Sequence, residues 1–546
     1  MLQTLIANLE RASSLYASLP AFKIPIFQED VITGYMEITY AKLYQDVLDN
    51  ARYWSQVLQK DGVQQKSVVG LYVHGMKYTD VVHLYGIMRA GYIPQLINRS
   101  IYAADVISHL VLKSDARALV YDPDGAKIPH IGASNVKLYV LPPSIPVSNG
   151  QDDQALQDTP PSDANDVALI LHTGGTSSIP KLVRMSYRLL DTILKKVKLL
   201  YTPFSKDNDK RYEVDSWIGS ICHIGFATLL TGRWYHGTCT IQQTSGFPPR
   251  SEIISMVRLG HLSRASMFPV LLSRCIQDAR DDTEFLNLMR NLDGIITGGV
   301  PPPRELENWA WENGINLINV YGSTESGIPM LIGGWRGGVV ETKHPQLLVH
   351  FPLNADDGTP LLVYDFRSVD NSQLKEFIVL PQSADIPTDT ASDGCYYTGD
   401  LFEEFAGESG VYVCKGRDAD WIKMSSGLKV DCTTLENIAY QTCSDLIFGC
   451  VIIGTGKPSP ALVVEPHSFT ASGDQESLRN EIFQRISTSD IHAKGLSWEK
   501  IASPEMIIVV EEGWLPRTAV KGNVRRVVAE ERLRWKLDQI WASTPV

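Results

Sequence analysis

The sequence has no uninterrupted apolar run that approaches the roughly 18 residues needed to span a bilayer, so no spanning helix is expected. It has no basic excess either. Fifty Lys and Arg stand against 62 Asp and Glu, a net charge of −12, which argues against a general nucleic-acid or anionic-membrane binder. Its eight cysteines (Cys222, Cys239, Cys275, Cys395, Cys414, Cys432, Cys443, Cys450) contain no CxxC pair, which disfavours a structural zinc site and fits reduced thiols in a cytoplasmic protein. The N-terminal MLQTLIANLERASSLYASL lacks a basic start followed by an unbroken apolar core, so no signal peptide is expected. There is no Gly-Lys-Ser/Thr phosphate loop, no internal repeat and no low-complexity tract. What is present is the balance of a folded protein, 44% hydrophobic and 21% charged, in a chain of 546 residues, too long for one core.

Helical spacing runs through Thr39–Leu58 and Tyr78–Ala90, with Gly91 as a stop, and Ser67–Val73 is a short β-branched run. Strand-like runs followed by helical patterns recur: 167–171 then 185–200, 294–297 then 304–312, and 315–320. This alternation predicts an α/β fold whose large N-terminal domain has mixed or largely parallel sheets flanked by helices. Residues 143–166 and 382–394 read as polar surface connections. After Gly416 the pattern becomes that of a small α+β unit, giving expected domains of 1–416 and 417–546.

Five clusters carry chemistry. In 168–183, ALILHTGGTSSIPKLV, a buried strand opens into small and hydroxyl residues and ends in Pro180-Lys181. Small residues let backbone amides approach an anion, hydroxyls add donors, and the lysine adds a mobile charge. In 318–327, INVYGSTESG, a tyrosine beside glycine can offer its ring to a planar base, and Thr324-Glu325 offers the hard oxygens Mg²⁺ prefers. In YYTGDL, Asp400 can accept two hydrogen bonds from a ribose diol. The others are 416–427, GRDADWIKMSSG, followed by Leu428-Lys429, and 515–526, LPRTAVKGNVRR. Four of them have a plainer reading: a Ser/Gly surface loop for the first, a turn with a surface glutamate for the second, an Asx turn for the third and a solvated basic stretch for the last.

Together and in this order, the clusters resemble the adenylate-forming superfamily: acyl-CoA synthetases, luciferases, and adenylation domains of peptide synthetases and carboxylic acid reductases. The resemblance covers roughly Thr39 to Arg526. It implies that Thr173, Gly175, Thr176, Ser177 and Lys181 hold the ATP β- and γ-phosphates. Against the family pattern T-S-G-[ST]-[ST]-G-x-P-K-G, this chain departs at Gly174, Ser178 and Leu182. The resemblance also implies that Tyr321, with Gly322, stacks on adenine, Thr324 contacts the α-phosphate, Glu325 holds Mg²⁺, Gly298 and Gly299 line adenine and the acyl pocket, and Asp400 and Arg417 bind ribose. Gly427, with Lys429, would line a thiol tunnel. Lys521 would be the catalytic lysine, although the usual Gly-Lys order is exchanged to Lys521-Gly522. The small domain would rotate between half-reactions about the position of Ala419.

The segment Ser220–Phe226, SICHIGF, aligns with the acid pocket. Ile224 stands where α-amino-acid enzymes place an aspartate, and an ammonium buried against it would be unpaired. With His223, Gly225, Ile296, Val320, Ile328 and Pro329, this predicts an aryl or aliphatic acid without an α-amino group. His223 reads either as a gate or carboxylate partner or as a satisfied wall residue. No G-G-x-S carrier motif follows Arg526. The HTGGT and PRTxxKG segments resemble the adenylation domain of fungal peptide-synthetase-like reductases, which implies a phosphopantetheine thiol on a carrier domain, in cis or in trans, as acceptor. A stand-alone acyl- or aryl-CoA ligase using CoA, and a non-catalytic nucleotide-binding homologue, are the alternatives.

Overall fold

The computed structural model describes every residue except 1, 100, 102–103, 124–134, 147–155, 157–160, 174–179, 204–211, 218, 300–303, 337–341, 370–372, 418–419, 426–428, 468–474, 490–491, 493–499, 518–523 and 544–546. The chain divides into two compact units. The first comprises residues 1–175, 179–398 and 402–414; the second comprises 176–178, 399–401 and 415–546.

The first unit is built on two large sheets. A six-stranded sheet runs in the order Lys137–Val140, Ala116–Tyr121, Val68–Val73, Ile93–Asn98, Val167–Thr173, Lys181–Ser186. All its pairs are parallel except the last. A nine-stranded sheet runs Val349–His350, Gly327–Gly333, Leu317–Ser323, Gly294–Gly298, Arg264–Met267, Val214–Trp217, Cys239–Gln242, Pro20–Gln28, Val31–Thr39. It is parallel in its centre and antiparallel at both ends. Helices cover these sheets, as continuous apolar strands such as Val68–Val73 require: a sheet buried on both faces cannot alternate polar and apolar residues. A four-stranded sheet, Tyr364–Ser368, Leu374–Val379, Tyr396–Glu404, Tyr412–Arg417, follows.

The periodicities named from sequence appear as the helices Tyr40–Lys60, capped by the Thr39 hydroxyl, and Tyr78–Arg89, and as Arg304–Glu312. Two expectations fail. Residues 181–186 form a strand, and the helix starts only at Tyr187, where the Ser186 hydroxyl accepts the Leu189 N–H. Leu182, Val183, Met185 and Ser186 are buried in that strand while Lys181 and Arg184 stay exposed, and it is the antiparallel pairing with Val167–Thr173 that holds the segment extended up to the Ser186 cap. Nor is 382–394 simply a surface connection: Ser383 and Asp385 lie at 1% and 0% exposure.

The second unit has its own core around the sheet Ile447–Ile453, Ala461–Pro466, Ile507–Val509, with the helices Cys432–Cys443 and Arg526–Ser543. All eight cysteines are free, and seven are buried. Among the described residues no helix is long and apolar enough to cross a membrane.

Candidate active site

The predicted phosphate loop is closed by a hairpin rather than by a helix. Thr173 and Lys181 are cross-strand partners of the antiparallel pair Val167–Thr173 and Lys181–Ser186, with Lys181 exposed at its mouth. Gly175, Thr176, Ser177 and Ser178 lie outside the described residues.

A second hairpin carries the Tyr-Gly-Ser-Thr-Glu cluster. The strand Leu317–Ser323 turns through Thr324, Glu325 and Ser326 into Gly327–Gly333, with Ser323 opposite Gly327. The Ser323 hydroxyl accepts the Ser326 N–H at 3.1 Å and tightens the turn. Thr324 and Glu325, half-buried at its tip, present a hydroxyl and a carboxylate, a donor set that suits Mg²⁺. Tyr321 meets Phe377 and Phe402 edge-on, at 5.4 and 5.0 Å with interplanar angles of 83° and 87°, which fixes the plane of its ring.

Glycine is required beside this hairpin by close backbone approach. A Cβ on Gly298 would lie 2.4 Å from the Val320 carbonyl oxygen on the neighbouring parallel strand. Gly299 has φ +102° with open space around it. Ile296 pairs with Ile318 as Gly298 pairs with Val320, so Ile296, Gly298 and Val320 share one face of the sheet.

His223 caps the helix Ile224–Arg233. Its Nδ1 accepts the Gly225 N–H at 3.2 Å, and its ring stands edge-on to Phe268 at 6.0 Å. An accepting Nδ1 leaves the proton of the neutral ring on Nε2. Ile328 ties this segment to the hairpin. Its Cδ1 lies 3.4 Å from where a Cβ on Gly225 would sit, and its Cγ2 lies 2.4 Å from where one on Gly322 would sit. Pro329 is buried beside it, and Ile224 is buried in the main core at 3% exposure.

In the second unit the Arg417 Nε donates to Asp400 at 2.9 Å, and Asp400 is 7% exposed. Lys521, Gly427, Ala419 and Thr518 lie outside the described residues, and Lys429 begins the short strand Lys429–Asp431. The ends of the segment bearing Lys521 are anchored. Arg517 bridges to Val524, Arg525 N–H donates to Pro516 O at 2.7 Å, Arg517 pairs with Glu465 at 2.6 Å, and Arg526 pairs with Glu436 at 2.8 Å and Asp420 at 3.1 Å. Arg517 and Arg526 are therefore structural cations, not part of a solvated basic stretch. Burial raises the Glu436 carboxyl, and Arg526 opposes the rise.

Residues 20–374 match the AMP-binding enzyme family, and residues 419–544 match the AMP-binding enzyme C-terminal domain. The chain belongs to the AMP-binding enzyme family. It is an adenylate-forming ligase. Among its relatives, the AMP-binding domain-containing enzyme iboA of Amanita muscaria (strain Koide BX008) is 27% identical over 94% of this chain and 98% of its own length. The adenylate-forming reductase stbB of Stachybotrys bisbyi is 24% identical over 82% of this chain but only 40% of its own length, so the chain spans less than half of that relative. The fold is that of o-succinylbenzoate CoA synthetase (MenE) from Bacillus subtilis, solved with the acyl-adenylate OSB-AMP: TM-score 0.69 and 14% identity over 96% of this chain and 97% of that one.

Two features of this candidate site escape a motif search. One is the strand beginning at Lys181, whose buried and exposed residues do not alternate and so leave no period-2 signal. The other is a buried lysine, Lys196, set in the apolar stripe of the helix Tyr187–Leu200 with Leu189, Ile193 and Leu200.

Proposed function

We propose that the chain activates an aryl or aliphatic carboxylic acid lacking an α-amino group as its acyl-adenylate, then passes the acyl group to the phosphopantetheine thiol of a carrier domain, in cis or in trans. One observation carries the acid reading: the Ile328 side chain touches both Gly225 and Gly322, bringing the His223 segment onto the hairpin of Tyr321, Thr324 and Glu325. None of the wall residues Ile224, Gly225, Ile296, Val320, Ile328 and Pro329 offers a carboxylate to an ammonium.

In the first half-reaction a carboxylate oxygen of the acid attacks the α-phosphorus of ATP and the bond to pyrophosphate breaks. The carboxylate is already a nucleophile, so alignment and charge neutralisation do the work. Thr173, Gly175, Thr176, Ser177 and Lys181 hold the β- and γ-phosphates. Tyr321 and Gly322 place adenine, with Gly298 and Gly299 beside it, and Asp400 and Arg417 take the ribose. Thr324 donates to the α-phosphate, and Glu325 supplies the carboxylate for Mg²⁺. Bound Mg²⁺ supplies neutralisation of phosphate charge, and the similar MenE has been solved with ATP and magnesium ion. Lys521, carried by the mobile domain 417–546, bridges the acid carboxylate and the α-phosphate. The His223 Nε2–H faces the acid as a donor. In the second half-reaction the thiol sulfur attacks the acyl carbon, AMP leaves and the thiol proton is released, with Gly427 and Lys429 lining the thiol's path.

Pyrophosphate exchange across a panel of acids tests the substrate class. Benzoate-type or medium aliphatic acids are expected to exceed α-amino acids by about a hundredfold, and the reverse order overturns it. Lys521→Ala is expected to abolish exchange while ATP still binds; an unchanged rate removes Lys521 from its role. Supplying the preformed acyl-adenylate with a holo-carrier or with CoA separates the acceptors, and thioester formation with CoA alone overturns the carrier.

A further inference from the structure

Beneath the Thr324–Glu325 turn lies a charged pair that the chemistry above does not use. Lys196, in the helix Tyr187–Leu200, and Asp385 are both fully buried, with Lys196 Nζ 2.7 Å from Asp385 Oδ2. The same ammonium donates to the carbonyl oxygen of Ser326 at 3.3 Å, inside the turn that follows Glu325. One helical turn earlier, Ile193 packs against Gly327 so closely that a Cβ there would lie 2.4 Å from Ile193 Cδ1. The helix therefore grips the turn at two consecutive residues, once through a charged donor and once through a methyl group.

Asp385 is in turn held by more than the lysine. Tyr364 OH donates to Oδ2 at 2.6 Å, and the Ser383 hydroxyl donates to Oδ1 at 2.6 Å while accepting the Val363 N–H at 2.9 Å. Tyr364 packs on Phe377 at 4.8 Å, and Phe377 is one of the two rings that set the plane of Tyr321. One carboxylate thus reaches the turn of Thr324 and Glu325 through Lys196, and the ring of Tyr321 through Tyr364 and Phe377. A buried pair contributes little net stability compared with apolar side chains of similar size, so stability alone is a weak reason for this one.

We propose that Lys196 is a positioning residue for MgATP: its ammonium, oriented by Asp385, fixes the Ser326 carbonyl and with it the placement of Thr324 and Glu325. This rests on the reading of Thr324 and Glu325 as the phosphate and metal contacts.

The test is the double variant Lys196→Met/Asp385→Asn in the full chain. It removes both charges together, keeps one acceptor oxygen at position 385 while its amide N–H can donate to the other hydroxyl, and fills the lysine's space with an unbranched chain. With folding checked by near-UV circular dichroism and thermal unfolding, kcat/KM for MgATP in pyrophosphate exchange is expected to fall, and the half-saturating Mg²⁺ concentration to rise, by about tenfold. The KM for the acid is expected to stay within about twofold. Lys196→Gln/Asp385→Asn, which restores a donor towards Ser326, is expected to recover part of the loss. A folded Lys196→Met/Asp385→Asn protein with wild-type MgATP and Mg²⁺ dependence overturns the proposal. Should that variant not fold, Tyr364→Phe carries the test: a shift of both constants in the same direction by about threefold supports it, and no shift overturns it. Glu325→Gln, measured in parallel, separates the underlying reading. Unchanged Mg²⁺ dependence there overturns the assignment of Glu325, whereas a change there and none in the double variant overturns only the role of Lys196.

Discussion

Glu307 carries a charge that its surroundings disfavour. It lies fully buried on the helix Arg304–Glu312. Burial pushes its carboxyl up to about 7, against the smaller opposing influences of Gln346 and Arg304. The folded state therefore favours the protonated form. Between the ordinary carboxylate range near 4.5 and about 7, the unfolded chain has released this proton and the folded one has not, so stability falls as pH rises through that window and levels off above it. Glu307→Gln keeps the neutral shape and removes the titration. Equilibrium urea unfolding is expected to show the variant more stable than wild type by about 3 kcal/mol at pH 8, and the difference to vanish as the pH falls below the ordinary carboxylate range. A wild-type pH profile in the variant would mean that Glu307 is already ionised without penalty in the fold. At this same scale the candidate site depends on missing side chains: Gly298 and Gly322 sit where any Cβ would meet backbone oxygen within 2.6 Å.

At the scale of elements, the hairpin Leu317–Ser323 and Gly327–Gly333 is the unit that organises the site. Its turn closes on Gly327, which has φ +75° and lies against Ile193. Gly327→Ala would have to adopt a left-handed conformation and also push that helix away, so it is expected to lower kcat/KM for MgATP by about a hundredfold. A thermal scan and pyrophosphate exchange together check this, and wild-type exchange would show that the turn's placement does not matter. Much of this element was legible in the sequence. The run 315–320 reads as a strand, two residues early at its start, and the Tyr-Gly-Ser-Thr-Glu order marks the turn, because strand and turn chemistry are local. The strand Lys181–Ser186 was not, since the helical stripe of the segment that follows overlaps its apolar residues. The partnership of Lys196 with Asp385 was not legible either. The two residues are 189 apart, and a lysine among apolar residues reads as a long side chain reaching for water unless the burying partner is seen. The anchoring of Arg517 and Arg526 was hidden for the same reason: their carboxylates come from Glu465, Glu436 and Asp420, on other elements.

At the scale of the whole molecule, the two units have separate hydrophobic cores that share no residue. The smaller core is closed by the sheet Ile447–Ile453, Ala461–Pro466, Ile507–Val509, and Leu462 in its central strand is fully buried. Removing three carbons there leaves a cavity that the sheet's close-packed neighbours cannot collapse around, at a cost of about 2–5 kcal/mol. Because none of the lost contacts belongs to the larger core, the cost should fall on one cooperative unit. Native-state hydrogen exchange of Leu462→Ala is therefore expected to lose protection across Ile447–Ile453, Ala461–Pro466 and Arg526–Ser543. The strands Val68–Val73, Ile93–Asn98 and Leu317–Ser323 are expected to keep wild-type protection. Equal loss in both sets would mean that the chain unfolds as a single unit. That would also weigh against the proposed rotation of the small domain, because a domain that exchanges positions between half-reactions must hold its own structure while its outside contacts change.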